Sequence, residues 1–280
     1  MTLFDPGPEP GSSPDGGVED PEGRRRLRLE LAYDGSGFRG FAAQHGQRTV
    51  GGVLAEAVAK VVRHDVEVVC AGRTDAGVHA TAQVAHIDVR RGLDLTRLEK
   101  SLNTLLGPAV VVRRLDWAEV GFDARRSAKA RRYRYLVLAA RAADPLLGRF
   151  AWHVPHELDG RAMAAAADAL IGEHDFRAFC RRAPGATRED PVVRLVLDAR
   201  WSEQVPRPDG LCPGERLLRF DVVARSFCHQ MVRSMVGVLV DVGRGRRRAA
   251  DVVQLLRAGD RSLAMTVAPP HGLCLVGVDY

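Results

Sequence analysis

The residues best suited to chemistry sit in Ala71-Gly72-Arg73-Thr74-Asp75-Ala76-Gly77-Val78-His79-Ala80. One acid, one base and one hydroxyl lie between two glycines. Glycine allows a tight turn and close backbone approach. Thr74 is expected to bond the local backbone and fix the turn. Asp75 then projects from a rigid loop, with Arg73 two residues away. A carboxylate so placed can act as nucleophile or general base. The same pattern also describes a well-formed hairpin with an exposed Asp. No second carboxylate lies nearby in sequence, which argues against a paired-acid glycosidase or a two-metal nuclease.

Two other stretches carry unusual combinations. Phe122-Asp123-Ala124-Arg125-Arg126-Ser127-Ala128-Lys129-Ala130-Arg131-Arg132-Tyr133-Arg134-Tyr135 interleaves bases with aromatics. On a strand, Tyr133 and Tyr135 share one face and Arg132 and Arg134 the other. Cations that hold phosphate and rings that stack on bases suit a nucleic acid. An amphipathic strand with a tyrosine core is the simpler reading, and Tyr135 is expected to follow it. Tyr133, at the strand's start, is a candidate cleft-facing ring. Ser226-Phe227-Cys228-His229-Gln230-Met231-Val232-Arg233-Ser234-Met235-Val236-Gly237 opens an apolar helix, with Met231, Met235 and Val238 as packing. Arg233 among them lies at the helix surface or needs a buried partner such as Asp75. Tyr33-Asp34-Gly35-Ser36-Gly37-Phe38-Arg39-Gly40-Phe41 reads as a turn or as the lining of a substrate path. It is no phosphate loop, because GxxxxGK[ST] is absent. His79, His86, His153, His156, His174 and His229 lack metal-ligand spacing, so no metal is expected.

The elements that must position these residues follow from periodicity. Strands are expected over 26–34, 66–71, 82–89 and 109–117, with helices over 49–63 and 95–106. Leu27, Leu29, Leu31 and Tyr33 alternate onto one face of the first strand. The second half repeats the order: strand 131–139, helix 160–171 capped by Asp159, strands 192–201 and 215–224. Helix 228–242 follows, with Gly243 as C-cap, then a short helix 249–257 and strand 273–279. The fold class is therefore α+β. Two ferredoxin-like β-α-β-β-α-β halves, 24–120 and 121–280, join into an extended, mainly antiparallel mixed sheet with a central cleft. Residues 1–23 read as a disordered acidic tail, and 181–190 and 202–214 as surface loops.

Charge narrows the partner. The 280 residues carry a net charge of +6. Residues 1–22 hold six acids and no Lys or Arg, so the body alone stands at +12. Residues 121–150 hold eight bases against two acids. A polyanion is the expected partner. No apolar run is long enough to span a bilayer, and no signal layout opens the chain, so neither membrane nor secretion is expected. Five scattered cysteines without a CxxC pair argue against a disulfide scaffold or zinc ribbon and favour a reducing cytoplasm.

Gly72-Arg73-Thr74-Asp75-Ala76-Gly77-Val78-His79 resembles the signature loop of the bacterial tRNA pseudouridine synthase A family. Tyr33-Asp34-Gly35 with Phe38 and Gly40, the Phe122–Tyr135 stretch and Gly172-Glu173-His174-Asp175-Phe176 fall in that family's order. So do the Phe227–Gly237 helix and Leu275-Val276-Gly277-Val278-Asp279-Tyr280. The resemblance spans about residues 26–280. Phe41-Ala42 departs from it, since the family usually has Trp then Gln.

The resemblance implies isomerisation of uridine to pseudouridine at positions 38, 39 and 40 of the tRNA anticodon stem-loop. It implies a homodimer in which one tRNA contacts both subunits, with no cofactor and no metal. It implies that Asp75 is the essential aspartate, that Tyr133 stacks on the target base, and that Arg73 serves base flipping. Arg233 would pair with Asp75, and a cation there favours the ionised carboxylate. Asp75 could attack C1′, add to C6 of the uracil, or take a sugar proton, and the sequence leaves these three open. Two rivals remain: a non-catalytic RNA-binding protein, and a metal-dependent nuclease using Asp75 with Asp34 or Asp88. From the residues alone the binder leads; the resemblance favours the synthase.

Overall fold

The computed structural model describes residues 23–181, 185, 190–204, 215–263 and 266–280. The acidic leader 1–22 and most of the two Pro/Gly-rich loops lie outside the described residues. Strand β1 (Arg24–Tyr33) leads into helix α1 (Val50–Val62), and strands β2 (Val69–Cys70) and β3 (His79–Arg90) follow. Helix α2 (Leu95–Leu106) and strand β4 (Val110–Trp117) complete the first half. Strand β5 (Ala130–Ala139) opens the second half, followed by β6 (Trp152–Val154), α3 (Gly160–Asp168) and β7 (Gly172–Asp175). Strands β8 (Val193–Gln204) and β9 (Arg216–Ala224) precede helices α4 (Met231–Gly243) and α5 (Asp251–Ala258) and strand β10 (Leu273–Asp279).

Local chemistry starts the helices where the sequence suggests. Thr49 accepts from the Gly52 N–H, Asp94 from the Arg97 N–H, and Asp159 from the N–H groups of Arg161 and Ala162. Each satisfies amides that the first helical turn leaves unpaired. Gly243 works differently from the expected C-cap. It is the last residue of α4, and a Cβ there would lie 2.5 Å from Met163 Sδ, so its smallness lets α3 approach. Strands β6 and β7 were not expected; at three and four residues they are too short to show a period.

The main sheet runs β4-β1-β3-β10-β5-β9-β8-β7, with β2 on β3 and β6 on β5. Within the first half the order is β4-β1-β3-β2, and within the second it is β10-β5-β9-β8. The two halves therefore have the same internal order, as two ferredoxin-like units should. Their junction lies on one edge of β3. Val69 and Cys70 of β2 pair antiparallel with His86 and Ala85, whereas Cys274 and Leu275 of β10 pair parallel with His79 and Ala80. The strand expected over 66–71 keeps two residues, Val69 and Cys70; residues 66–68, which would face 87–89 of β3, lie outside it, and beyond Cys70 the edge passes to β10. The chain must leave the sheet after Cys70, and residues 71–78 bulge out at the seam.

The helices bury one face of this sheet. Leu27, Leu29 and Leu31 are fully buried, and Tyr33 nearly so, as their alternation predicts. Met231, Met235, Val236 and Leu239 of α4 are equally buried, and one core joins both halves. On β5 the expected division of faces is observed. Tyr133 and Tyr135 point inward, while Arg132 pairs with Asp279 at 2.8 Å and Arg134 with Asp221 at 3.1 Å.

His79 pins the end of the seam loop. Its Nδ1 accepts from the Gly35 N–H at 3.1 Å, and its Nε2 lies 3.1 Å from both the Arg149 and His271 carbonyl oxygens. Those contacts suit a neutral ring protonated at Nε2. Burial holds its pKa below the usual histidine range, although Asp34, 3.2 Å away, pulls the other way. His86 is lowered too, first by burial, and its Nδ1 accepts from the Ala124 N–H. An unfolded histidine titrates near about 6.5. Below that pH the unfolded chain binds protons that the folded chain refuses, so stability is full above it and falls on acidification. We therefore expect a flat Tm between about pH 8 and 7 and a decline below about pH 6.5. His79→Gln should lower Tm at pH 8 yet make that decline shallower. A decline with unchanged slope would remove His79 from the cause.

Candidate active site

The loop from Ala71 to Val78 is held from beneath by a buried polar network. The Tyr33 hydroxyl and Thr74 Oγ1 are 2.8 Å apart, and Gln83 Nε2 donates to the Gly72 carbonyl at 2.7 Å and to the Tyr33 hydroxyl at 3.3 Å. Thr74 and Gln83 are buried. Thr74 thus bonds a strand tyrosine across the sheet, not its own backbone as expected. A turn closes above it, with the Val78 N–H donating to the Asp75 carbonyl. The Tyr33–Phe41 stretch presses on the loop from behind. A Cβ on Gly35 would lie 2.0 Å from the Val78 carbonyl oxygen, and Gly40, at φ 95°, tolerates only 2.8 Å to that of Thr74. Glycine is the residue that permits both approaches. The same stretch also reaches the cleft wall through Arg39 and Phe41.

Asp75 lies in a cleft of about 1540 Å³ at the seam of the two halves. Its side chain is about a quarter exposed, and its Oδ2 accepts from Arg233 Nη1 at 3.2 Å. Arg233 is fixed in turn, because its Nε donates to the Ala268 carbonyl at 2.8 Å. The charge inside α4 therefore does have a partner, 158 residues away in sequence. Tyr133 lines the same cleft but is nearly covered, its ring edge-on to Phe227 at 5.1 Å. Its hydroxyl lies against Gly72, where a Cβ would sit 3.6 Å from it. Burial, and then nearby negative charge including Asp75, push this phenol above the ordinary tyrosine range. Arg73 is exposed on the cleft wall. All four residues expected from the sequence thus line one cleft.

Two participants were not singled out from the sequence. His229 Nε2 lies 3.3 Å from Asp75 Oδ1, so the carboxylate is contacted at both oxygens. In the sequence it is one of six histidines without metal-ligand spacing, and nothing in that spacing points to Asp75. Arg131 is buried and donates to four carbonyl oxygens: Ala71, Arg125, Ala128 and Arg225. It ties the start of the Asp75 loop to the turn before β5 and the end of β9. Burial lowers its pKa from the usual arginine value. In the sequence it is one arginine in a basic run, and the signal that could have found it is alternation: two residues before Tyr133, it shares the tyrosine face and not that of Arg132 and Arg134.

The cysteine expectation is corrected in one respect. Cys180 and Cys228 form a disulfide, with Cα atoms 5.8 Å apart. They are 48 residues apart in sequence, and only the packing of the turn Arg177–Phe179 beside the start of α4 brings them together. Cys70 and Cys274 are free thiols. Among the described residues, no three His, Cys, Asp or Glu side chains gather as a metal site would require. No described helix is long and apolar enough to cross a membrane.

A family model described as tRNA pseudouridine synthase matches residues 31–116 and 166–280. A tRNA pseudouridine synthase A from Frankia casuarinae is 46% identical over 263 residues, which cover 92% of this chain and 90% of that protein. The chain belongs to the tRNA pseudouridine synthase family. Proteins of the same name from Methylobacterium sp. and Corynebacterium glutamicum are 44% and 42% identical, each over 91% of this chain and over 97% and 89% of their own length. Among solved structures, one titled "Crystal Structure of a Cbf5-Nop10-Gar1 Complex" aligns at 12% identity and a TM-score of 0.33. It covers 76% of this chain and 45% of its own, and at that score it carries no argument. The family match skips residues 117–165, where Tyr133 and Arg131 lie, so their importance in this synthase rests on geometry.

Replacing Arg131 tests that geometry. Arg131→Met removes the donors and leaves buried carbonyls unsatisfied, at a cost of about 2–4 kcal/mol. We expect a Tm lower by several degrees and, in whatever remains folded, a larger fall in activity than in tRNA affinity. A variant as stable and active as wild type would show the four bonds to be incidental.

Proposed function

We propose that this chain isomerises uridine to pseudouridine at positions 38, 39 and 40 of the tRNA anticodon stem-loop, with Asp75 as the reacting carboxylate. The observation that carries the reading is the Asp75–Arg233 pair in a cleft of a tRNA pseudouridine synthase family member. Overall, the C1′–N1 bond breaks, the uracil turns, C1′–C5 forms, C5 gives up its proton and N1 gains one. No electrons are exchanged with an outside reagent, so the isomerisation needs no redox cofactor. The target ring must first leave its stack, at a cost of about a few kcal/mol. Arg73, exposed beside Asp75, is suited to filling the gap or holding phosphate. Tyr133 supplies an aromatic surface near the loop, and Arg233 sets a positive charge against the Asp75 carboxylate. Because its burial disfavours the phenolate, Tyr133 contributes as a neutral ring before it contributes as a base.

Arg39, Arg73, Arg125 and Arg181 also line the cleft, which suits a polyanionic substrate. We further take the working form to be a cytoplasmic homodimer, with one tRNA touching both subunits. Sedimentation should then give twice the chain mass, and a monomer would refute that part. The decisive assay is tritium release from C5-tritiated uridine in unmodified tRNA with EDTA present. Wild type should release tritium, and Asp75→Asn should lose the activity by at least about 10³-fold while still binding tRNA. Product formed by Asp75→Asn at the wild-type rate would end the assignment. Binding without release by wild type would instead favour the RNA-binder reading.

A further inference from the structure

Asp75 is gripped at both oxygens, and Arg233 accounts for only one of the grips. The other comes from His229, whose Nε2 is 3.3 Å from Oδ1 and whose side chain is about half exposed. His229 sits between β9 and α4 in a segment constrained on every side. Cys228 before it is bonded to Cys180. The His229 carbonyl accepts from the Arg181 N–H at 2.9 Å. Gln230 after it has φ 65°, a left-handed conformation costly for a residue other than glycine. Arg261 Nη2 donates to Gln230 Oε1 at 2.7 Å and helps hold it there. Gln230 occupies the N-cap position of α4, yet its side chain makes no capping bond. An extended Ser or Asp would start the helix at less cost. The strained turn therefore does not serve the helix. It separates His229, which contacts Asp75, from Met231, which is buried in the core.

We propose that His229 is a positioning residue for the isomerisation: it orients the Asp75 carboxylate through Oδ1 and, when protonated, keeps that carboxylate ionised in mild acid. The proposal rests on the pseudouridine synthase reading. At 3.3 Å the Nε2 edge of the ring lies against Oδ1 and limits how the carboxylate can turn. An imidazolium in that place would set a full positive charge beside the acid. Around this pair, Arg233 belongs to α4, Tyr133 to β5, Arg73 to the loop of Asp75, and Arg177 and Arg181 to the segment after β7. Asp65, Glu67 and Asp190 also line the cleft. The arginines stay charged across the working pH range, and burial carries Tyr133 above it. Of these groups, His229 and Arg233 are the two in contact with the Asp75 carboxylate.

Orientation and charge separate by substitution. His229→Gln keeps a donor without the charge, and His229→Ala keeps neither. Single-turnover tritium release at saturating enzyme, followed from about pH 5 to 9, reads both. We expect His229→Ala to be about tenfold slower at pH 8, with tRNA affinity within about twofold of wild type. We expect the acid limb of its pH–rate profile to move up by about half a unit or more. His229→Gln should recover most of the pH 8 rate and keep the raised limb. Circular dichroism and Tm at wild-type values show that the effect is local. A wild-type rate and limb in His229→Ala overturns the proposal, as does a loss confined to tRNA affinity. Absence of tritium release by wild type overturns the synthase reading and this proposal together, whereas release that is indifferent to His229 overturns only the proposal.

Discussion

One guanidinium, that of Arg131, holds the walls of the cleft in register. It is a buried cation that donates to carbonyl oxygens from four positions in three chain segments. Guanidinium suits this task because its donors lie in one rigid plane, whereas an ammonium would have to choose among the same oxygens. The bonds reach Ala71, where the chain leaves the sheet, and Arg225, where it turns toward α4. The two segments that deliver Asp75 and Arg233 thus start from a shared anchor.

The contact they make resolves a conflict of charge. A cleft that attracts RNA must be basic, yet the chemistry needs an ionised acid inside it. Arg233 meets that need from the protein side and is itself fixed by the Ala268 carbonyl. The network of Tyr33, Thr74 and Gln83 does the corresponding work for the loop, with each hydrogen bond drawn from a strand already locked in the sheet. The acid is therefore held by covalent neighbours that cannot drift and by a counter-charge that cannot leave. Such preorganisation lowers the reorganisation needed when charge moves in the reaction.

Much of this was legible in the sequence. Alternation of Leu27, Leu29, Leu31 and Tyr33 marked β1, and Thr49, Asp94 and Asp159 marked helix starts, because those signals are local. The Arg73-Thr74-Asp75 loop stood out because its glycines and charges break an apolar context. What escaped depends on distant partners. Arg131 looks like its neighbours Arg132 and Arg134; alternation with Tyr133 sets its face, but the carbonyl oxygens it binds come from segments that only the fold brings near. His229 becomes part of the site through the backbone of Gln230, a residue with no sequence signature for positive φ. Strand β2 keeps only Val69 and Cys70 of the stretch 66–71, because an apolar run does not show where pairing with β3 stops. The Cys180–Cys228 bond is likewise a fact of packing.

The shared edge of β3 also sets an order of assembly. The strand that joins the halves is the one furthest along the chain, so on the ribosome the first half is complete in all but its neighbour long before β10 emerges. Until then β3 presents bare amides and carbonyls at His79 and Ala80, the kind of unpaired edge that recruits other nascent chains. The short β2 blunts only the far part of that edge. This architecture thus places an aggregation hazard during synthesis at the same seam that later becomes the cleft.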